Sequence, residues 1–199
     1  MVVPLTVGFF VYIINAEDPI IIKDYQRDRI ISFLYGDEDD DGQYQQQYAV
    51  QAIGSGQLMG KGLNNDDPSS LKNANYIAEA QNDFIFAVIG EELGFSGCCL
   101  VLGLIALVVF ECILVAIRTK DFAGRLICCG SAAYIGFQTF INVGVVTKLL
   151  PNTGLPLPFF SCGITSLLAV FACMGMVLNI SLQRDVVKDD DIFAKDFKG

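Results

Sequence analysis

Two carboxylates stand four residues apart where a polar part of the sequence meets a long apolar stretch. Glu79 and Asp83 immediately precede the apolar run that begins at Phe84. On a helix this spacing places both side chains on one face, where two ionised groups repel each other unless a partner stabilises one of them. A carboxylate held there could act as a general base beside a membrane-bound substrate. The competing interpretation is structural: Asn82 or Asp83 caps the helix that follows.

A glycine-rich segment, residues 53–62, could bind an anion. It fits neither common nucleotide template, because Ser55 stands where a Walker loop needs its first glycine, and Met59 stands where a dinucleotide fingerprint needs its third. Two interpretations remain open. The segment is either a tight glycine turn or an anion cradle, in which backbone N–H groups and Lys61 face a phosphate.

An acidic run, residues 37–41, matches the first half of a calcium-binding loop. Asp37, Asp39 and Asp41 have the spacing of calcium ligands, but Tyr48 stands where the bidentate glutamate of such a loop would be. The run is therefore either a solvated acidic surface or a weak site for a divalent cation.

Two further features combine polar groups or rigid backbone with apolar surroundings. Glu91 and Glu92 lie one to two turns into the apolar stretch, where a carboxylate either faces a cavity or a partner or lies just outside the hydrocarbon.

Later, the prolines of segment 151–158 forbid a continuous helix. That segment is either a rigid connector or a wall of a substrate groove.

The composition of the whole chain predicts a membrane protein. Hydrophobic residues make up 53% of the sequence and charged residues 18%, and the two classes are segregated along the chain. Three apolar stretches, 84–117, 126–146 and 159–182, are each long enough for the roughly 20 helical residues that cross a bilayer core. Histidine is absent, which excludes Ser-His-Asp triads, Cys-His dyads and His-based zinc sites. The seven cysteines lie in or beside apolar stretches, so we interpret them as small lipid- or helix-facing residues and not as disulfides.

The predicted fold is an all-α polytopic membrane protein with three full transmembrane helices, a partial N-terminal one and a long extracytoplasmic loop. The predicted parts are the end of a truncated transmembrane helix (1–15), the loop (16–82), a three-helix transmembrane region (83–183) and a cytoplasmic tail (184–199). Lys and Arg in the connection 118–125 and after the last span place those two ends in the cytoplasm. In the long loop, apolar residues of 30–34 and 48–53 are expected to dock on the outer ends of the helices.

Taken in order, these motifs resemble the SEDS family of cell-cycle and cell-shape proteins, the group of FtsW, RodA and SpoVE. The resemblance covers nearly the whole chain and corresponds to the C-terminal half of the family. The matching segments are 25–30, 43–45, 52–62, 78–87, 90–94, 150–154 and 156–161, with Gln138 and Asn142 in register between them. This chain departs from the family pattern at several positions, including Gln57 for a glycine and Gln81 and Asn82 for a His-Thr pair.

The resemblance implies a glycosyltransferase of the bacterial cell membrane that polymerises lipid II, an undecaprenyl-pyrophosphate-linked disaccharide peptide. It implies a catalytic role for Asp83 as the general base. It also implies a set of substrate-binding residues: Arg29, Lys61, Glu79, Thr153 and Ser161. No metal ligand is implied, and assistance by a divalent cation stays open.

The implied partners are lipid II, a class B penicillin-binding protein and membrane lipids, with no nucleic acid. Two alternative functions stay open at this point, a lipid II flippase and a noncatalytic scaffold of the cell-wall synthesis complex. Polymerisation needs the carboxylate of Asp83, whereas flipping should tolerate asparagine there. The resemblance does not distinguish roles in elongation, division and sporulation.

Overall fold

The computed structural model describes residues 41–63 and 82–196, with side chains described for 44–63 and 82–183. These residues form four helices and no strand: α1 (Asp41–Gly56), α2 (Ile85–Arg118), α3 (Phe122–Val146) and α4 (Ile164–Asp196). Several predictions fall outside the described residues: the partial helix 1–15, Arg29, the docking of 30–34, the acidic run up to residue 40, and Glu79.

Three of these helices are long and apolar enough to cross a membrane, as predicted. They are Ile85–Arg118, Phe122–Val146 and Ile164–Gln183. The third begins five residues later than the apolar pattern suggests, because the backbone turns at 158–160, where Phe159 adopts a φ of 67°. Prolines at 156 and 158 also disfavour helix before that turn.

The helices pack through small residues. One cluster of Cys112, Ala116, Cys128, Ala132 and Val177 joins the ends of α2 and α3 that are nearest to their short connection. Small side chains let membrane helices approach closely. All seven cysteines are free thiols: three are buried, three are exposed and one is intermediate, which fits a mixture of helix-facing and lipid-facing positions.

Helix α1 lies within the long polar segment and docks on the transmembrane helices. Ala49 and Ala52 are buried, and Tyr48 and Ile53 pack against the same core, which confirms the docking predicted for 48–53. The buried side chain of Gln46 donates hydrogen bonds from Nε2 to the carbonyl oxygens of Val145 and Leu150, each at 2.9 Å. These two bonds join α1 to the C-terminal end of α3 and to the loop that follows it, and the Val145 carbonyl also accepts a hydrogen bond from the N–H of Lys148.

Candidate functional site

Asp83 lies in a turn, residues 82–84, that leads directly into the first transmembrane helix. Helix α2 begins at Ile85, and Phe84 occupies its N-cap position without a side-chain capping bond. One interpretation of the sequence was that Asn82 or Asp83 caps this helix. The structure places Phe84 at the N-cap instead. Asp83 itself is partly buried, at the end of the helix that carries partial positive charge.

The carboxylate of Asp83 faces the proline-rich loop 151–158. A Cβ atom placed on Gly154 would lie 3.2 Å from Asp83 Oδ2, closer than an ordinary van der Waals contact. Gly154 has a φ of 67°, in the left-handed region that favours glycine. A glycine at this position therefore lets the loop approach the carboxylate, and exposed Thr153 is its neighbour in the chain.

Buried side chains hold this loop against the start of α2. The hydroxyl of Ser161, only 2% exposed, donates to the carbonyl of Asn82 and accepts a hydrogen bond from the N–H of Leu157, both at 2.6 Å. From α3, Asn142 Nδ2 donates to the carbonyls of Asp83 (2.8 Å) and Leu155 (2.6 Å). Ser161 thus shapes the site from inside, and a direct contact between its hydroxyl and a substrate stays a prediction.

A second amide on α3 supports the same loop. Gln138 Nε2 donates to the carbonyl of Pro156 at 2.9 Å and to Ser166 Oγ at 3.3 Å. Gln138 and Asn142 lie one turn apart, so both side chains project from one face of α3. The sequence alone did not single them out as site residues. The available signal was a pair of amides at i,i+4 spacing inside an apolar span.

The glycine-rich segment forms a turn that docks on an interruption of α2. Gly94 has φ 68° and ψ −164°, which break the helix. In an uninterrupted helix the N–H groups of residues 95 and 96 would donate to the carbonyls of residues 91 and 92. Here the turn replaces those partners through four backbone hydrogen bonds of 2.9–3.2 Å: Lys61 N–H to Glu91 O, Gly62 N–H to Glu92 O, Phe95 N–H to Gln57 O and Ser96 N–H to Leu58 O.

Lys61 forms an ion pair with Glu91. Lys61 Nζ lies 2.9 Å from Glu91 Oε1, and the glutamate side chain is only 3% exposed. Of the two interpretations left open for Glu91, the structure supports a paired, buried carboxylate. It also favours the glycine-turn interpretation of segment 53–62, because the backbone N–H groups of Gly60, Lys61 and Gly62 all donate to protein carbonyls. Binding of a phosphate by Lys61 stays a prediction.

Three of the predicted site residues therefore lie close together: Asp83, Thr153 and Ser161. Lys61 lies apart from them, in the turn after α1, where it contacts Glu91 of α2. Within the described residues, no group of three His, Cys, Asp or Glu side chains could hold a metal ion. What the arrangement offers is a partly buried carboxylate at the mouth of a membrane helix, with a rigid loop fixed beside it.

This fold defines a class of protein: a helical, multi-pass membrane protein with a polar site at one end of its spans. The chain belongs to the FtsW/RodA/SpoVE family of cell cycle proteins, which matches residues 1–186. The family membership predicted from the motifs is confirmed.

Named relatives and one solved structure are consistent with that membership. A probable peptidoglycan glycosyltransferase FtsW of Xanthomonas oryzae pv. oryzae is 39% identical over 83% of this chain and 34% of its own length. The stage V sporulation protein E of Bacillus subtilis is 39% identical over 79% of this chain and 42% of its own length. A chain from a peptidoglycan synthase complex, solved to explain how polymerization and crosslinking are coordinated, superposes with a TM-score of 0.63 at 30% identity. The superposition covers 91% of this chain and 49% of that one, so this chain spans about half the length of its relatives or less.

Proposed function

We propose that the chain is the C-terminal part of a peptidoglycan glycosyltransferase that polymerises lipid II. The supporting observation is the placement of the Asp83 carboxylate beside Gly154, with both flanking segments held by buried hydrogen bonds. A general base needs such a fixed position relative to the proton that it removes. The names of the relatives point to the same reaction class.

In the proposed reaction, Asp83 removes the proton from an acceptor sugar hydroxyl as that oxygen attacks the anomeric carbon of the donor. The new glycosidic bond forms while the bond from the anomeric carbon to the pyrophosphate oxygen breaks. Undecaprenyl pyrophosphate leaves with the bonding electrons. Arg29 and Lys61 would hold phosphate through charge-assisted contacts, Glu79 would orient the substrate, and Thr153 and Ser161 would line its groove.

The partner proposed for this activity is a class B penicillin-binding protein, which would crosslink the glycan. The structural neighbour comes from a complex that combines polymerization with crosslinking. In the proposed orientation the loops 16–82 and 147–158 lie outside the membrane, where the headgroup of lipid II would be. The connection 118–125 and the C-terminus then lie in the cytoplasm.

The proposal is tested with the full-length product of the gene that encodes this chain, reconstituted in liposomes with its penicillin-binding protein and labelled lipid II. Asp83→Asn should lower polymerisation by roughly 100-fold or more, since general base catalysis contributes about that much. Asp121→Asn is the matched control. The Asp121 side chain accepts a hydrogen bond from Gly124 N–H as the N-cap of α3, and asparagine caps equally well.

Full polymerisation by Asp83→Asn would overturn the proposal. If the wild type moved lipid II across the bilayer without forming polymer, and Asp83→Asn did the same, the flippase alternative would replace it. A protein that does neither, but still binds the penicillin-binding protein, would be the noncatalytic scaffold.

A further inference from the structure

One buried side chain connects the two segments that face each other across the Asp83 carboxylate. Asn142 is 1% exposed, and its Nδ2 donates to the carbonyl of Asp83 at 2.8 Å and to the carbonyl of Leu155 at 2.6 Å. The first carbonyl belongs to the turn that enters α2, and the second to the proline-rich loop. Gly154, which approaches Asp83 Oδ2, immediately precedes Leu155.

The orientation of this amide is determined by its two donated bonds. Rotation by a half-turn would place Oδ1 against two carbonyl oxygens and lose both bonds. In the observed orientation Oδ1 is buried and accepts no hydrogen bond from the described residues. An unpaired buried acceptor is unfavourable, so an arrangement that retains one has a compensating reason.

We propose that Asn142 is a positioning residue for Asp83. By holding the backbone of residue 83 and the backbone of residue 155 with one nitrogen atom, it sets the distance between the carboxylate and the loop. This inference rests on the proposed function, because a fixed distance matters most for a group that transfers a proton. Misplacement of a reacting group by about 1 Å can lower a rate by roughly 100-fold.

Gln138 provides a matched control on the same helix face. It is buried, it also leaves its carbonyl oxygen Oε1 unpaired among the described residues, and it also supports the loop. Its two hydrogen-bond acceptors are Pro156 O and Ser166 Oγ, neither of which belongs to the turn that carries Asp83. A general loss of loop support should therefore affect both amides alike, whereas a positioning role should affect Asn142 alone.

The experiment compares Asn142→Leu with Gln138→Met, two substitutions of nearly unchanged shape, in the full-length reconstituted protein with lipid II as substrate. Asn142→Leu should lower kcat by roughly 10- to 100-fold with KM within about twofold, because the geometry of proton transfer changes and substrate binding does not. Gln138→Met should lower kcat by less than about threefold at a similar loss of melting temperature. Equal losses of kcat in the two variants would overturn the proposal.

A second variant keeps the test valid if Asn142→Leu does not fold. Asn142→Asp retains the shape, and its carboxyl group can donate one hydrogen bond only when it is protonated. Its kcat relative to that of the wild type should therefore rise as the pH falls. A kcat for Asn142→Asp equal to that of the wild type at every pH would contradict the positioning role.

Asp83→Asn, measured in parallel, distinguishes a failure of the proposed function from a failure of the positioning role of Asn142. Activity in that variant would remove the proposed function itself. Loss of activity there, together with an unchanged kcat in the Asn142 variants, would remove only the positioning role.

Discussion

At the scale of single residues, the site is built from neutral side chains that bind backbone carbonyls. Asn142, Gln138, Ser161 and Gln46 each donate from a buried position to carbonyl groups of other segments. Neutral donors suit the end of a membrane helix, because burying a charge there costs far more than burying a hydrogen-bonded amide or hydroxyl. Around Asp83, the contacts made by Asn142 and Ser161 are of this neutral kind, so they add no second charge beside its carboxylate.

Gly154→Ala tests the close approach of the loop to Asp83. Alanine is disfavoured by about 1–2 kcal/mol in the left-handed conformation of residue 154. Its Cβ would also press on Asp83 Oδ2 at 3.2 Å. We expect the polymerisation rate to fall by roughly tenfold, since the carboxylate must move. Gly163→Ala is the control, because its nearest new contact, Ser166 Cβ, lies at an ordinary 3.7 Å. Wild-type rates in Gly154→Ala would show that the approach has no role.

Lys61→Met tests whether the ion pair with Glu91 stabilises the fold. Glu91 is 3% exposed and Lys61 24%, so the pair lies between a surface pair and a buried one. We expect the free energy of unfolding to fall by about 1–3 kcal/mol, because the buried carboxylate loses its cation. Adding Glu91→Gln should recover part of that loss, because the buried charge is then removed as well.

Thermal unfolding in detergent measures both Lys61 variants, and Lys120→Met, at an exposed position of the α2–α3 connection, is the control. An unchanged stability together with a raised KM for lipid II would instead support the predicted contact between Lys61 and phosphate.

At the scale of elements, α2 is an interrupted helix completed by another segment. The turn after α1 supplies the donors and acceptors that the break at Gly94 removes from α2. Buried backbone groups must be paired, and this requirement is strictest near a membrane. The break and the turn therefore depend on each other. This turn tolerates a non-glycine residue in the left-handed conformation, because Gln57 replaces a family glycine and still adopts a φ of 50°.

Gly94→Ala should disrupt the packing of the turn after α1 against α2. A Cβ at position 94 would overlap the backbone of Gly60 and come within 2.8 Å of Leu58 O, and residue 94 has a φ of 68°. The combined clash and strain should lower the free energy of unfolding by roughly 2 kcal/mol or more. Gly103→Ala, in the same helix with open space around its Cβ, should be neutral or stabilising by up to about 1 kcal/mol. Equal melting temperatures for the two variants would contradict the role assigned to Gly94.

At the scale of the whole molecule, three spans present large apolar side chains outward, and the contacts around Asp83 lie at one end of these spans. Large residues such as Leu104, Phe110, Phe137 and Leu168 are exposed, as expected for surfaces that contact lipid. The basic connection between α2 and α3 lies at the end opposite to the proline-rich loop. For the proposed function, the orientation of the molecule in the membrane determines which of these ends could reach lipid II.

Fusions to alkaline phosphatase test the proposed orientation. This reporter folds only where its disulfides form, outside the cytoplasm. A fusion after Thr153 should be active and a fusion after Lys120 inactive, because Lys and Arg remain on the cytoplasmic side. β-Galactosidase fusions at the same two positions are the control and should show the reverse pattern. The opposite result would invert the topology and place Asp83 away from the outer surface.

The sequence by itself determined the three spans, the docking of 48–53 and the family. Hydropathy is a sum over neighbouring residues, and a bilayer demands about 20 apolar residues in a row, so the spans can be counted without knowing how they pack. The start of the third span was misjudged because hydropathy does not register the turn at 158–160, where Phe159 takes a positive φ.

Only the tertiary structure decided which groups meet. Lys61 pairs with Glu91 across 30 residues of sequence, and Asn142 reaches Asp83 across 59. Such contacts depend on how helices cross and where their ends turn, and no local pattern encodes them. The buried amides of α3 were therefore visible in the sequence only as polar residues in an apolar span, and their partners became known when α3, the proline-rich loop and the start of α2 were seen together.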